Sequence, residues 1–462
     1  MFIKSDDFLK LLVYSSLLIV LFSGFISNLT RFLSIPEVAG VNYGTLLLFL
    51  LVFVGGAYGG CQCLARINSI NVKRIILFIV FSCFLLPFIY FAWFTVDELL
   101  SLKASVSYFV IPLVFLGVYA LCTKRQEFLF LIEKCPIYLA LGYSLIGIVQ
   151  FFLGYGVSEY WLVLHGEDVL GFWELGWVRP TAWVGNTIFF SGLVSVLFFY
   201  CFLYAFLRKD RVAFVAAIAA LLSIYLAMSR FSVAMVASWI IVMFFILFFA
   251  GNKKEIVKRG SSFLAVCFVL AVLCTSYNDY FQERGMTKSA GESKSGSLVI
   301  DRFHSDSVHS KGSNEVHAQE ARKAIEFILS GKISGWGTQG ISAQNSIVSD
   351  GLWFQVGIET GFVGIFLFAG WFLLVPIVSF FIFSRVIGIK SVFRSFCLDG
   401  SAGMFFIYLA FFVSSYGYFL FAGFVNTSFS SRVTYLILWV MLGAFLARYD
   451  LWKAMILNRA DK

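Results

Sequence analysis

Twelve long apolar runs divide the chain, approximately at 11–30, 43–65, 75–94, 104–122, 135–156, 183–207, 212–228, 232–250, 260–276, 361–384, 402–424 and 433–447. Most approach the roughly 20 residues an α-helix needs to cross about 30 Å of hydrocarbon. None alternates apolar and polar residues with period two, and an isolated strand in lipid would leave its backbone groups unpaired, so every run is expected to be a helix. The first run is not followed by a small-residue cleavage site and is expected to stay as a signal-anchor. The pattern predicts an all-α polytopic membrane protein with about 12 transmembrane helices. Residues 1–276 would hold the first nine spans with a short polar segment at 157–182. A long polar loop would follow at 277–350, and 351–462 would hold the last three spans.

Composition excludes a soluble globular protein. Hydrophobic residues make up 60% of the 462 and charged residues 13%, against about 45–50% and about 25% in soluble domains. The net charge of +9 reflects topology. On the twelve-span pattern, 22 of the 35 Lys and Arg lie on the side holding both termini, and eight of the other 13 lie in the long loop. The positive-inside rule then puts both termini in the cytoplasm and the loop outside. The basic balance fits headgroup attraction, and no nucleic-acid module accompanies it, so no nucleic-acid partner is expected.

Other chemistries find little support. None of the nine Cys falls in an external segment, and Cys61 with Cys63 is too few ligands for a tetrahedral site, so neither disulfides nor a metal is expected. His165, His304, His309 and His317 match no ligand spacing. The spans contain almost no ionisable residue, which argues against an ion-coupled transporter. Gly55, Gly56, Gly59 and Gly60 form small-xxx-small pairs that suit close helix packing better than dimerisation.

Polar character concentrates in the long loop. Residues 285–314 are rich in Ser, Gly and Lys without apolar periodicity, which predicts flexibility. A helix is predicted over Glu315–Ser330, capped by Asn314 and apolar at Ala321, Ala324, Ile325, Ile328 and Leu329. A glycine-rich turn from Gly335 to Gly340 follows, and Ser349-Asp350 stands where a returning helix starts.

Three arginines face this outer side: Arg179 before a span, Arg230 at a tight turn between two spans, and Arg322 on the loop helix. A guanidinium binds phosphate oxygens in pairs and keeps its charge at any relevant pH, so all three suit a lipid diphosphate. Plainer roles also fit. Arg179 and Arg230 could anchor headgroups, Arg322 could pair with Glu326 one turn on, and Asp350 or Ser349 could be a helix N-cap. Arg230 fits the plain role least, because a two-residue turn between uncharged spans is costly ground for an unpartnered charge.

In order and spacing these residues resemble the O-antigen polymerase (Wzy) family and the related O-antigen ligases (WaaL). The likeness covers roughly 175–370. It comprises Arg179 with Gly185 and Asn186, the Ser229-Arg230 turn, Arg322, the G-x-G of Gly335 and Gly337, and a string of Ser349, Asp350, Gln355, Glu359, Gly361 and Gly364. In the ligases the position matched by Asp350 is typically a histidine followed by asparagine. Here it is Asp350-Gly351, which favours the polymerases.

The resemblance implies a GT-C-like fold acting without metal or other cofactor on undecaprenyl-diphosphate-linked oligosaccharides, as donor and acceptor, at the periplasmic face of the bacterial inner membrane. Asp350, Arg230 and Arg322 would be catalytic. Arg179, Asn186, Gly335, Gly337 and Gln355 would bind substrate. Membrane lipid is a further partner, and a chain-length regulator protein is compatible with this reading. The arginines would stabilise the leaving diphosphate while a carboxylate takes the acceptor proton. Direct displacement would invert the anomeric carbon. Trp173, Trp177, Trp336 and Trp353 could stack on sugars. The alternatives are a ligase with lipid A core as acceptor, and a flippase for lipid-linked oligosaccharide, which would be expected to line a central cavity with charges.

Overall fold

The computed structural model describes residues 54–59, 113–161, 180–182, 184, 187–227, 229–250, 253–283, 308–330, 335, 351–387, 400–424 and 432–460. Among these residues there is no strand. The helices are α1 (Val114–Lys124), α2 (Gln126–Trp161), α3 (Thr187–Arg208), α4 (Arg211–Leu226), α5 (Arg230–Ala250), α6 (Lys253–Glu283), α7 (Val308–Ser330), α8 (Leu352–Ile387), α9 (Gly400–Ala422) and α10 (Arg432–Ala460).

Six stretches within them are long and apolar enough to cross a membrane: Gln126–Phe152, Thr187–Arg208, Arg230–Phe248, Ile256–Ser276, Gly403–Ala422 and Val433–Met455. Shorter apolar helices occur at Val114–Lys124, Arg211–Leu226 and Phe372–Val386. This architecture fits a helical membrane protein, and nine of the twelve apolar runs of the sequence overlap these helices. The runs at 11–30 and 75–94 lie outside the described residues, as does 43–65 apart from 54–59.

The chain divides into two compact units, Met1–Cys135 with Glu320–Ile382 and Arg432–Lys462, and Pro136–Gln319 with Phe383–Ser431. In the first unit α1 packs along α10, where Phe115 and Trp439 lie 5.6 Å apart. Gly443 makes this contact close: a Cβ there would fall 2.6 Å from the carbonyl oxygen of Phe115. Gly56 and Gly59 press on Leu113 and Gly117 in the same way, so these two glycines serve helix packing within the chain.

The first unit also holds a buried ion pair. Arg448 donates from Nε and Nη2 to the two carboxylate oxygens of Glu133, at 2.5 and 2.6 Å, and the two side chains are 15% and 3% exposed. Beside it Tyr119 donates to Asp450 at 3.1 Å. The apolar runs at 135–156 and 433–447 exclude Glu133 and Arg448, but the helices continue through both positions and bury the pair. Two opposite charges forked onto each other can share a low-dielectric site where either alone could not.

In the second unit α3 is the centre, in contact with α4, α5 and α9. Trp239 of α5 sits among Phe198, Phe199 and Phe202 with ring centroids 5.8, 4.8 and 5.3 Å away, and its indole Nε1 donates to Ser414 Oγ of α9. Asp210 starts α4, accepting from the amides of Val212 and Ala213 at 2.9 and 3.0 Å, as an N-cap carboxylate does.

Candidate functional site

The second unit builds a polar knot where α5 begins. Ser232 is the third residue of α5 and is fully buried. Its hydroxyl bonds Tyr418 at 2.7 Å, Ser229 at 2.8 Å and Ser191 at 3.2 Å. Ser191 and Tyr418 are also buried, on α3 and α9, so three helices converge on the Ser229-Arg230 turn. A buried hydroxyl stays only where it is hydrogen-bonded, and meeting that need here fixes the start of α5. Arg230 is its first residue and is half-buried.

A second knot holds the segment after Arg179. Gln150, buried on α2, accepts from the backbone amides of Thr181 and Ala182 at 2.8 and 2.9 Å. It donates to Thr181 Oγ1 at 3.1 Å. Ala182 takes φ +44°, a left-handed conformation that costs an alanine about 1–2 kcal/mol. The side-chain amide of Gln150 stands in for a backbone partner and holds this bend. Arg179 and Asn186 themselves lie outside the described residues, as do Gly337 and Asp350.

In the first unit, α7 from Glu320 on packs against α8, and Gly335 joins them. Ala324 and Ile358 are the buried contact, with Phe327, Ile328 and Phe354 packed on it. Gly357 admits Ile328, whose Cδ1 would lie 2.6 Å from an added Cβ. Arg322 is two residues before Ala324, roughly opposite the packed side at 3.6 residues per turn, and is exposed. Among the described residues no ion pair forms between Arg322 and Glu326, so the helix-pair role for this arginine does not hold.

Gly335 closes the body. It has φ +75°, and a Cβ on it would fall 2.5 Å from the amide nitrogen of Gly361 and 2.6 Å from the carbonyl carbon and oxygen of Glu359. Gly361 has φ +66° and ψ −163°, a kink that divides α8 in two. Just before the kink, Glu359 is buried and accepts from Gln355 Nε2 at 3.2 Å; Gln355 is exposed. Thus Gly335, Gln355, Glu359 and Gly361 are brought together, and Arg322 stands on the helix packed beside them.

Several expectations need correction. The loop helix begins at Val308 rather than Glu315, so Asn314 lies inside it and is no cap, and residues 308–314 are helical. Ile325 and Leu329, expected on the apolar packed side, are 44% and 69% exposed, because α8 covers only the narrower ridge of Ala324, Phe327 and Ile328. Gly351 takes the first helical bond of α8, from the amide of Gln355 at 3.0 Å. The N-cap position is therefore Gly351, neither Ser349 nor Asp350. Trp353 is buried against Phe372, ring centroids 5.4 Å apart, which removes it from the residues that could stack on a sugar; Trp173, Trp177 and Trp336 lie outside the described residues. Sequence reasoning missed Gln150 and Ser232, whose only signal was a polar side chain within an apolar run. Among the described residues no three Cys, His, Asp or Glu side chains are grouped as metal ligands would be.

No family model matches the chain, and no curated protein matches it either.

Proposed function

We propose that the chain is a glycosyltransferase that polymerises undecaprenyl-diphosphate-linked oligosaccharide repeat units into O-antigen or a related surface polysaccharide, at the periplasmic face of the inner membrane. One observation carries the reading. Arg322 is exposed and forms no ion pair among the described residues, and its helix is packed on α8. A guanidinium presented on the exposed side of a packed helix suits an incoming anion, and a lipid diphosphate is an anion its fork matches.

In the proposed reaction an acceptor sugar hydroxyl attacks the anomeric carbon of the donor. The new C–O bond forms as the bond to the diphosphate breaks, and the configuration inverts. The bonding pair leaves with undecaprenyl diphosphate, whose growing charge Arg230 and Arg322 stabilise. The hydroxyl proton passes to Asp350. Arg179, Asn186, Gly335, Gly337 and Gln355 hold the substrates, and Gln150 and the Ser232 knot position the backbone beside Arg179 and Arg230.

Deleting the gene in its host and separating the surface polysaccharide by size tests the reading. A core carrying a single repeat unit is expected, since ligation of one unit survives. A bare core would overturn the reading and point to a ligase or a flippase.

A further inference from the structure

Between α4, α5 and α6 the second unit encloses a groove of about 190 Å³. Leu221, Leu222 and Tyr225 of α4, Val233 of α5, and Cys267 and Ala271 of α6 line it. Its wall is apolar; α5 and α6 are long and apolar enough to be membrane spans, and α4 is a shorter apolar helix. An apolar cavity of about 150 Å³ holds a molecule the size of benzene, so this one has room for a five-carbon unit.

Two features orient an occupant. Val233 follows Arg230 by three residues on α5, so the two side chains share a helix face about 4.5 Å apart along its axis. Tyr225 and Thr275 bond through their hydroxyls at 2.7 Å, tying α4 to α6 beside the groove, where α4 runs into the Ser229-Arg230 turn. Arg230 therefore stands one helical turn from an apolar slot. That is the layout of a phosphorylated hydrocarbon, with its anion on the guanidinium and its first carbons in the slot.

The geometry points to the groove as the seat of the phosphate-proximal isoprene unit of a polyprenyl phosphate or diphosphate. This assignment rests on the proposed polymerase reading for its choice of polyprenyl over ordinary phospholipid. The branched five-carbon unit matches the size of the slot, and the head of the lipid would be delivered to Arg230 along the α4–α5 edge.

The test uses the full chain in nanodiscs with a polyprenyl phosphate bearing a photoreactive diazirine on its phosphate-proximal isoprene. Adducts are mapped by peptide mass spectrometry. They are expected within 218–225 and 267–271, competed by unlabelled polyprenyl phosphate and not by excess phosphatidylglycerol. Filling the slot with Leu222→Trp or Ala271→Trp should lower labelling about tenfold, equivalent to ~1.4 kcal/mol of binding. The map of the unsubstituted protein stands even if a Trp variant misfolds. Adducts elsewhere, or equal competition by phosphatidylglycerol, would overturn the assignment. Elongation of lipid-linked repeats is measured on the same preparation. Elongation without groove adducts overturns the groove and leaves the polymerase reading, whereas groove adducts without elongation do the reverse.

Discussion

Gly335 and Gly361 meet backbone to backbone, both at positive φ, and a methyl group on Gly335 would lie 2.5 Å from the Gly361 amide nitrogen. The contact joins Gly335, five residues beyond the end of α7, to the kink in α8, so the chain that carries Arg322 is held at the packed side of α7 and again at Gly335.

Gly335→Ala should therefore loosen this body. The left-handed backbone costs an alanine about 1–2 kcal/mol, and overpacking adds about 1–3 kcal/mol. Thermal unfolding in detergent should show a clear drop. Gly370→Ala is the control: Gly370 is helical with nothing within 4 Å of an added Cβ, so it should hold or slightly raise stability. Equal melting of the two variants would refute the close contact.

Arg322→Ala should leave melting unchanged, because the side chain is exposed, while elongation falls about a hundredfold to a thousandfold. Arg322→Lys keeps the charge but loses the paired hydrogen bonds, and should fall substantially as well. Arg230→Ala is expected to lose a comparable amount. Arg302, in the Ser-, Gly- and Lys-rich stretch of the loop expected to be flexible and outside the described residues, gives the control: Arg302→Ala should elongate like the wild type. Unchanged elongation by either variant at matched membrane abundance would remove that arginine from the mechanism.

Gln150→Leu would leave the amides of Thr181 and Ala182 without their acceptor, at about 1–3 kcal/mol each. Beyond that loss of stability, elongation at a temperature where the variant is still folded should drop, because the segment after Arg179 is no longer held. Full activity in a folded Gln150→Leu protein would mean that this bend serves the fold alone.

Arg448→Ala removes the cation forked onto the buried Glu133 carboxylate and should destabilise the protein by about 3–5 kcal/mol. The double replacement Glu133→Leu with Arg448→Met removes both charges and should recover most of that loss in a thermal melt. If the single and double variants melt together, the pair is not coupled.

The sequence revealed the helices more readily than their partners. Apolar runs located them because crossing lipid demands length and little else, and the start assigned to the tenth run coincides with the kink at Gly361. The start of α7 was hidden because its first turns carry weak helix signals: His309, Ser310, Lys311, Gly312 and Ser313 together read as a loop, yet a helix formed downstream carries them along. Periodicity marked a face on α7 but not the width that α8 would cover, which is why Ile325 and Leu329 emerged exposed. Gln150 and Ser232 looked like stray polar residues until their partners, remote along the chain, were brought beside them. Of the candidate site, Gly335 and the string from Gln355 to Gly361 proved to be neighbours, a closeness that spacing along the chain suggested but could not establish.

The Glu133–Arg448 pair also sets an order of events during synthesis. The two residues are 315 positions apart, and at roughly 5 to 20 residues per second the carboxylate leaves the ribosome on the order of 15 to 60 s before its cation. Throughout that interval Glu133 lacks the guanidinium it is forked onto, so closing its site costs more than it does once α10 has arrived. Arrival of α10 lowers that cost by supplying the opposite charge. A chain that stops before position 448 leaves Glu133 without this guanidinium, so the pair ties the stability of the region around Glu133 to the presence of α10.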